Sequence, residues 1–310
     1  MNSRRISSER YKTAAISSCL AYCSPARTTW CTRLNLPARA WKRHSWTAIG
    51  SRLWRACRGN SVHRFFVPPS HIEGDRVTLI ADAARQLARV LRARPGENII
   101  VLDDTGREYA VTLDSVSVRQ ASGVITARYA GEGETRLAIT LYQGLMKTDR
   151  FEYVLQKGTE LGISRFVPII SERTVARNVI SANRLERWRK IMREAAEQSG
   201  RCRLPIIADT LAFTDTCDTI AANGRPAIIG WELERDTGIR TTLIRIKPEI
   251  ERAQSISIII GSEGGLTDAE VQLAISRGVE PVSMGRRIFR AETAGIIAAA
   301  ATLYEMDELI

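Results

Sequence analysis

Two stretches late in the chain hold the residue types from which a ligand site can be built. The first runs Gly261-Ser262-Glu263-Gly264-Gly265 after a run of isoleucines. Its glycines keep no side chain between a ligand and the backbone, and they permit φ > 0. The second runs Ser283-Met284-Gly285-Arg286-Arg287-Ile288-Phe289-Arg290-Ala291-Glu292-Thr293-Ala294. There one glycine is followed closely by three arginines. The chemistry on offer is recognition through backbone N–H groups with guanidinium groups beside them. A P-loop is excluded, because no Gly-Lys-Ser/Thr ending is present. A dinucleotide fingerprint is excluded too, because Gly-x-x-Gly-Gly is the wrong spacing. Glu263 would also repel a polyphosphate. Alone, the first loop could be a plain turn between a strand and a helix. The pair of loops says more.

The elements that must position these residues follow from their flanks. Ile258, Ile259 and Ile260 form a β-branched run of the length of a buried strand. Thr267 with Glu270 three residues on is a capping-box pattern, so a helix starts there. Strand, glycine loop and helix leave N–H groups free at the carboxyl end of a strand, where open α/β sheets bind ligands. Val282 to Gly285 reads as a short strand and a turn. The alanine-rich, proline-free segment Ala291 to Tyr304 reads as a packed helix, and Gly295 lets another backbone lie against it.

Both stretches resemble the C-terminal motifs of the SPOUT RNA methyltransferases, in particular the ribosomal RNA small subunit methyltransferase E family. That family usually writes Gly-Pro-Glu-Gly-Gly and Leu-Gly-x-x-Ile-Leu-Arg-x-Glu-Thr-Ala. This chain departs at Ser262, Met284 and Phe289. The resemblance implies S-adenosylmethionine-dependent methylation of uridine N3 in 16S rRNA of the small ribosomal subunit. It also implies a trefoil knot around the bent cofactor, a homodimer and a cytoplasmic enzyme, with no metal and no membrane. Gly261, Glu263, Gly264, Gly265, Met284, Gly285 and Ile288 are the implied cofactor residues. Arg290 is the implied stabiliser of charge on the base's carbonyl oxygens. Glu292 or a water takes the base's proton, unless Glu292 serves only the helix N-terminus. The rival readings are a SPOUT enzyme acting on another RNA base and a non-enzymatic, RNA-binding assembly factor.

Across residues 133–310, strands alternate with helices. Leu137–Tyr142, Arg165–Ile170, Ala227–Trp231 and the isoleucine run are the strands. Asp149 is expected to cap a helix with Phe151, Val154, Leu155 and Leu161 inward. A second helix carries Leu185, Trp188, Ile191, Met192 and Ala195 as its apolar stripe, so Trp188 reads as core rather than a base-stacking surface. The pattern is α/β, with a mainly parallel sheet and helices on both faces. Residues 62–132 read as a smaller β-rich domain. Asp82 is expected to cap a helix with Leu87, Val90 and Leu91 on one face, and hairpin strands follow from Asn98. The resemblance, carried here by His63-Arg-Phe-Phe-Val and Arg89-Val-Leu-Arg-Ala-Arg-Pro-Gly-Glu, makes this a PUA-like barrel that helps hold RNA. Gly131-Glu132-Gly133 reads as a flexible linker between the two.

The net charge of +11 is misplaced for a nucleic-acid signal. Residues 1–60 hold twelve Lys/Arg and one acid, so the remainder is neutral. Basic footprints must therefore be local. One lies on the helix around Arg184, Arg187, Arg189, Lys190 and Arg193. Arg64, Arg92, Lys147, Arg150, Arg173, Gln198 and Arg201 are the candidate RNA contacts, with a solvated face as the plain alternative. Lys157-Gly-Thr-Glu-Leu-Gly and Glu197-Gln-Ser-Gly-Arg also match family wording, except that Gly158 replaces an alanine.

The first 61 residues are Arg- and Ser-rich with no sustained periodicity. An organellar transit peptide, a basic RNA arm and a translation start nearer Val62 compete, and disorder is expected. The histidines are His44, His63 and His71, so no histidine triad can form within the C-terminal body. The cysteines lack metal or disulfide spacing, and no apolar run reaches membrane-spanning length.

Overall fold

The computed structural model describes residues 62–175 and 180–309. The expectations for the first 61 residues lie outside the described residues.

Residues 64–130 build a six-stranded sheet. Its strands are β1 (Arg64–Phe66), β2 (Ile72–Glu73), β3 (Arg76–Ile80), β4 (Asn98–Leu102), β5 (Arg107–Val116) and β6 (Gln120–Ala130). The order is β1-β4-β5-β6-β3-β2, antiparallel except where β1 pairs β4. Period-two alternation puts Tyr109, Val111 and Leu113 of β5 into a core with Phe65, Leu79, Leu87 and Val101. Register shifts after Ala110 and Leu113 sharpen the twist of the long β5–β6 pair.

The helix after β3 differs from expectation. Helix α1 (Ala81–Arg85) takes Ile80 as its N-cap, and Asp82 sits inside the first turn, paired with Arg85. The chain then widens into a π-type turn over Gln86–Val90, where the Leu91 amide donates to the Gln86 carbonyl five residues back. The wider turn rotates Val90 off the shared face. Leu87 is buried while Val90 is 72% exposed.

Residues 131–133 are not a loose tether. A Cβ on Gly131 would meet the Cys202 sulfur at 2.2 Å, and one on Gly133 would meet the Gly200 oxygen at 2.0 Å. These glycines are required by close approach, so composition misled here.

The second sheet is wholly parallel. It contains β7 (Ala138–Gly144), β8 (Arg165–Ile170), β9 (Ile206–Ile207), β10 (Leu211–Ala212), β11 (Ala227–Gly230), β12 (Ser255–Ile260) and β13 (Glu280–Val282). The order is β10-β8-β7-β12-β11-β13, with β9 on β8. Every residue of the central strand β12 is buried, as a strand covered on both faces requires.

Helices α2 (Thr148–Leu161), α3 (Ala182–Ser199), α5 (Ile239–Ala253) and α7 (Ala291–Glu305) cover the face carrying Leu141, Ile258 and Ile260. Helices α4 (Phe213–Asn223) and α6 (Asp268–Ser276) cover the face carrying Tyr142, Val167 and Ile259. α2 begins at Thr148 with Lys147 as N-cap, so Asp149 sits in its first turn instead of capping it. α6 has the capping box read from Thr267 and Glu270. Trp188 is fully buried and stacks on Phe151 with centroids 4.5 Å apart. Gly158 is explained by the same core, since a Cβ there would meet the Phe166 ring at 2.7 Å. Among the described residues no helix is long and apolar enough to cross a membrane.

Candidate active site

β11, β12 and β13 end side by side, and the loops leaving their carboxyl ends enclose a cavity of about 530 Å³. One wall is Gly261 to Leu266, another Ser283 to Ala294, and a third Gly230-Trp231-Glu232. Gly261, Glu263, Gly264, Gly265, Met284, Gly285, Ile288, Arg290 and Glu292 all line this one space, together with Arg150 from α2. The glycines are there for definite reasons. Gly265 and Gly285 have φ of +72° and +109°. A Cβ on Gly264 would press on the Arg173 carbonyl at 2.8 Å, and one on Gly265 on a Glu232 carboxylate oxygen at 2.5 Å.

The loop between β12 and α6 is held from two sides. From α2, the Lys147 amide and the Arg150 Nη1 each donate to Glu263 Oε1 at 3.3 Å. Arg150 Nε also lies 3.9 Å from Glu292 Oε1, linking both glycine loops through one guanidinium. From the segment after β8, Arg173 Nη1 donates to the carbonyls of Gly264 at 3.4 Å and Leu266 at 3.2 Å. Arg173 is therefore engaged in shaping the loop. Ser262, which stands where the family has proline, donates through its hydroxyl to the Arg173 carbonyl.

Arg290 is the N-cap of α7 and is exposed. Glu292 lies in the first turn of α7, and its Oε2 is buried without a hydrogen-bond partner. An acceptor left unpaired beside a cavity is costly unless something entering the cavity donates to it.

Two contributors escaped sequence reasoning. Gln143 lies near the end of β7, is fully buried, and donates from Nε2 to the Gly261 carbonyl at 3.2 Å. Its Oε1 has no partner and occupies the space a Cβ on Gly295 would need. A lone glutamine ending an apolar strand was the available signal. The loop after β11 is the other. The Trp231 amide donates to the Val282 carbonyl, and Ser283 and Ile239 bond across to close the site's floor. The Gly-Trp pair ending a strand was the clue.

Several candidate RNA residues lie elsewhere. Arg201 is 3% exposed, paired with Glu134 at 2.9 Å and donating to the carbonyls of Thr159 and Ile163. That burial corrects the reading of Arg201 as an RNA contact: it is an internal cross-link. Arg64 is corrected likewise, since it pairs with Glu108 at 2.7 Å with little of either side chain exposed. Its neighbour Cys202 donates to Glu108 Oε1 at 3.1 Å, and burial pushes that thiol up to about 12. Glu197 accepts from the Phe66 amide at 3.0 Å, and burial raises its carboxyl to about 6. Gln198, Lys147 and Arg92 are exposed, and Arg92 holds a left-handed φ of +52°.

A parallel α/β sheet with ligand loops at its carboxyl edge defines a class, and the family model that matches the chain, an RNA methyltransferase domain over residues 133–303, names that class. The ribosomal RNA small subunit methyltransferase E of Synechocystis is 36% identical over 77% of this chain and 76% of its own length. That of Bacillus subtilis is 29% identical over 76% of this chain and 93% of its own length. The chain belongs to the ribosomal RNA small subunit methyltransferase E family. Among solved structures, the Neisseria gonorrhoeae member bound to S-adenosyl methionine matches with a TM-score of 0.69 and 32% identity, over 78% of this chain and 97% of that one. A Legionella pneumophila methyltransferase, in complex with the same cofactor, matches with a TM-score of 0.66 and 25% identity, over 79% and 98%.

Proposed function

We propose that this chain methylates N3 of a uridine in 16S rRNA, using S-adenosylmethionine. The observation that carries the reading is the convergence of both glycine loops and the Gly230-Trp231 loop on one cavity, in a chain whose relatives include cofactor-bound methyltransferases.

The residues present fit that cofactor. The volume lies in the range of small-molecule sites. Glycine backbone on two walls offers amides and carbonyls to an adenosyl group, and Met284, Leu266 and Ile260 supply apolar contact. Five arginines and three carboxylates, Glu232, Glu263 and Glu292, line the space, and the carboxylates offer acceptors and counter-charge to a sulfonium cation. When bound, the cofactor supplies an electrophilic methyl group that already carries its leaving group. The chain must then place a base nitrogen in line and manage one proton. Arg290 stabilises negative charge developing on the base's carbonyl oxygens. Glu292 Oε2 takes the N3 proton, directly or through a water. Arg150 keeps Glu292 and Glu263 at fixed positions relative to each other, and much of the rate comes from such positioning.

The finer fold is part of the same proposal. A SPOUT-type trefoil knot is supported by the path after β12: the chain forms the edge strand β13 beyond β11, then returns with α7 to pack on β7 and β12. Knots are rare enough that general rules would not have suggested one. Residues 62–132 are a PUA-like barrel, and 133–310 the catalytic domain. Lys147, Arg92 and Gln198 contact RNA, and Arg150 faces the target base. A homodimer is supported by apolar surface at the site, where Ile288 is 79% exposed. The cytoplasm, where the small ribosomal subunit is made, is the place of action.

Calorimetric titration with S-adenosylmethionine, followed by nucleoside analysis of 16S rRNA incubated with enzyme and cofactor, tests the reading. Micromolar binding and 3-methyluridine are expected. Methylation of a different base would move the substrate assignment, and absence of cofactor binding would remove the enzymatic reading.

A further inference from the structure

The first turn of α2 separates two cavities. Arg150 reaches the one described above. Lys147, Thr148 and Asp149 line a second, more open one of about 690 Å³, whose opposite wall is Asn183, Arg184 and Arg187 at the start of α3. Nothing in the proposed chemistry uses this second space.

Its cations are not equivalent. Arg187 is held by Glu152, with Nη2 donating to Oε2 and Nε beside Oε1, both at 2.7 Å. That pair is neutral as a unit. Lys147 and Arg184 have no ion-pair partner among the described residues. Arg184 is also partly desolvated. Its guanidinium lies 4.9 Å from the centre of the Trp188 ring, and its Nε and Nη2 are shielded from solvent without any hydrogen-bond acceptor. A cation that has lost water on two nitrogens and gained no acceptor is held at a cost. The fully buried Trp188, itself stacked on Phe151, fixes the guanidinium plane where it is. Nε and Nη2 are covered, so the nitrogen left for an acceptor from outside the chain is Nη1, on a guanidinium already fixed in place.

The lining is only weakly basic, because Asp149 and Glu152 offset two of its three cations. A diffuse attraction for polyanions is therefore small, and recognition must be local and directed. A planar guanidinium with a lysine opposite suits a tetrahedral anion with several oxygens, which is a phosphate. One turn of α2, about 5 Å of helix, separates Lys147 in this cavity from Arg150 in the other. A single strand can span that distance while presenting a base to one side and its backbone to the other.

We propose that this cavity holds a backbone phosphate of the RNA whose target base occupies the neighbouring cavity, with Arg184 and Lys147 as its ligands. This rests on the RNA-methyltransferase reading for the identity of the polyanion, and it assigns Trp188 the task of holding Arg184 in place. The contact positions the strand and reads no sequence.

The test is RNA binding by the full-length protein, measured with 16S rRNA by filter retention across a salt series, for wild type, Arg184→Ala and Arg184→Gln. Calorimetry with S-adenosylmethionine and thermal melting run in parallel. Weakening on the order of tenfold is expected for both variants, with the slope of log affinity against log salt reduced by about one. Cofactor affinity and Tm should stay at wild-type values. Unchanged RNA affinity and slope in variants that keep their Tm would overturn the proposal, as would a wild type that binds no RNA. A loss confined to cofactor affinity would also overturn it. Should the wild type bind RNA but transfer no methyl group, the catalytic reading falls while the binding series still decides the phosphate site. If Arg184→Ala melts early, Lys147→Ala, exposed at the rim, supplies the same measurement: a loss of RNA affinity with a shallower salt slope supports the site, and unchanged binding overturns it.

Discussion

Replacing Gly295 by alanine sets two effects of known sign against each other. Alanine in place of glycine inside a helix stabilises by about 1 kcal/mol. Here the new Cβ would stand 2.7 Å from Gln143 Oε1 and 3.1 Å from Leu141 Cδ2. Gln143 and Leu141 are both fully buried, so neither has open space to move into. Overpacking of that kind costs about 1–3 kcal/mol. The sum is a destabilisation between roughly zero and about 2 kcal/mol, a fall in Tm of a few degrees at about 2–4 °C per kcal/mol for a chain of this size. The functional effect is the sharper one. Displacing Gln143 breaks its bond to the Gly261 carbonyl, worth about 0.5–1.5 kcal/mol net, so affinity for S-adenosylmethionine should drop roughly two- to twelvefold by the same figure. Differential scanning calorimetry and isothermal titration read the two quantities separately. Gln143→Leu should lower cofactor affinity similarly without the crowding. A Gly295→Ala protein that melts higher and binds cofactor as tightly as wild type would refute the argument.

Arg290→Ala should abolish methyl transfer in a single-turnover assay while leaving Tm unchanged, because the exposed N-cap side chain makes no capping bond; undiminished turnover would remove Arg290 from the chemistry. Arg201→Met should destabilise by about 2–3 kcal/mol, since it leaves two buried carbonyls without their donor and Glu134 with only the Cys202 and Arg203 amides, and urea unfolding would measure it. Glu197 has its folded carboxyl raised to about 6 from an ordinary 4.5. The folded state therefore holds the proton more tightly, and this group's stabilising contribution is fully present below pH 4.5 and is lost as pH rises through about 6. Glu197→Gln should then be more stable than wild type at neutral pH by about 2 kcal/mol, with the gap closing in acid; a pH-independent difference would contradict this. Burial pushes the Cys202 thiol up to about 12 and the Cys217 thiol up to about 11, so neither should react with a thiol reagent at pH 8 until the protein is unfolded.

What the sequence made legible was local or periodic. The capping box of α6 needs only Thr267 and Glu270. β12 announces itself by unbroken β-branched residues, and the two glycine loops sit between readable strands and helices. What stayed hidden depends on partners far away in sequence. Gly131 and Gly133 look like slack until Cys202 and Gly200 arrive against them. Arg201 and Arg64 look like surface cations until Glu134 and Glu108 are beside them. Val90 is on the apolar face of any ideal helix, and only the π-type turn at Gln86 moves it. Arg173 shows the same limit within the site, since its bonds run to carbonyls about ninety residues on.

The place of β12 in the sheet sets a timetable for synthesis. It lies between β7 and β11 and pairs with both, yet it is made after them. A growing chain that has not reached Ile260 holds two apolar strand edges with the space between them vacant. Those edges are exposed to chance pairing until the insertion happens, and closing so distant a contact is slow. While a ribosome is making this protein, the durability of the finished fold rests on a brief interval in which its middle is missing.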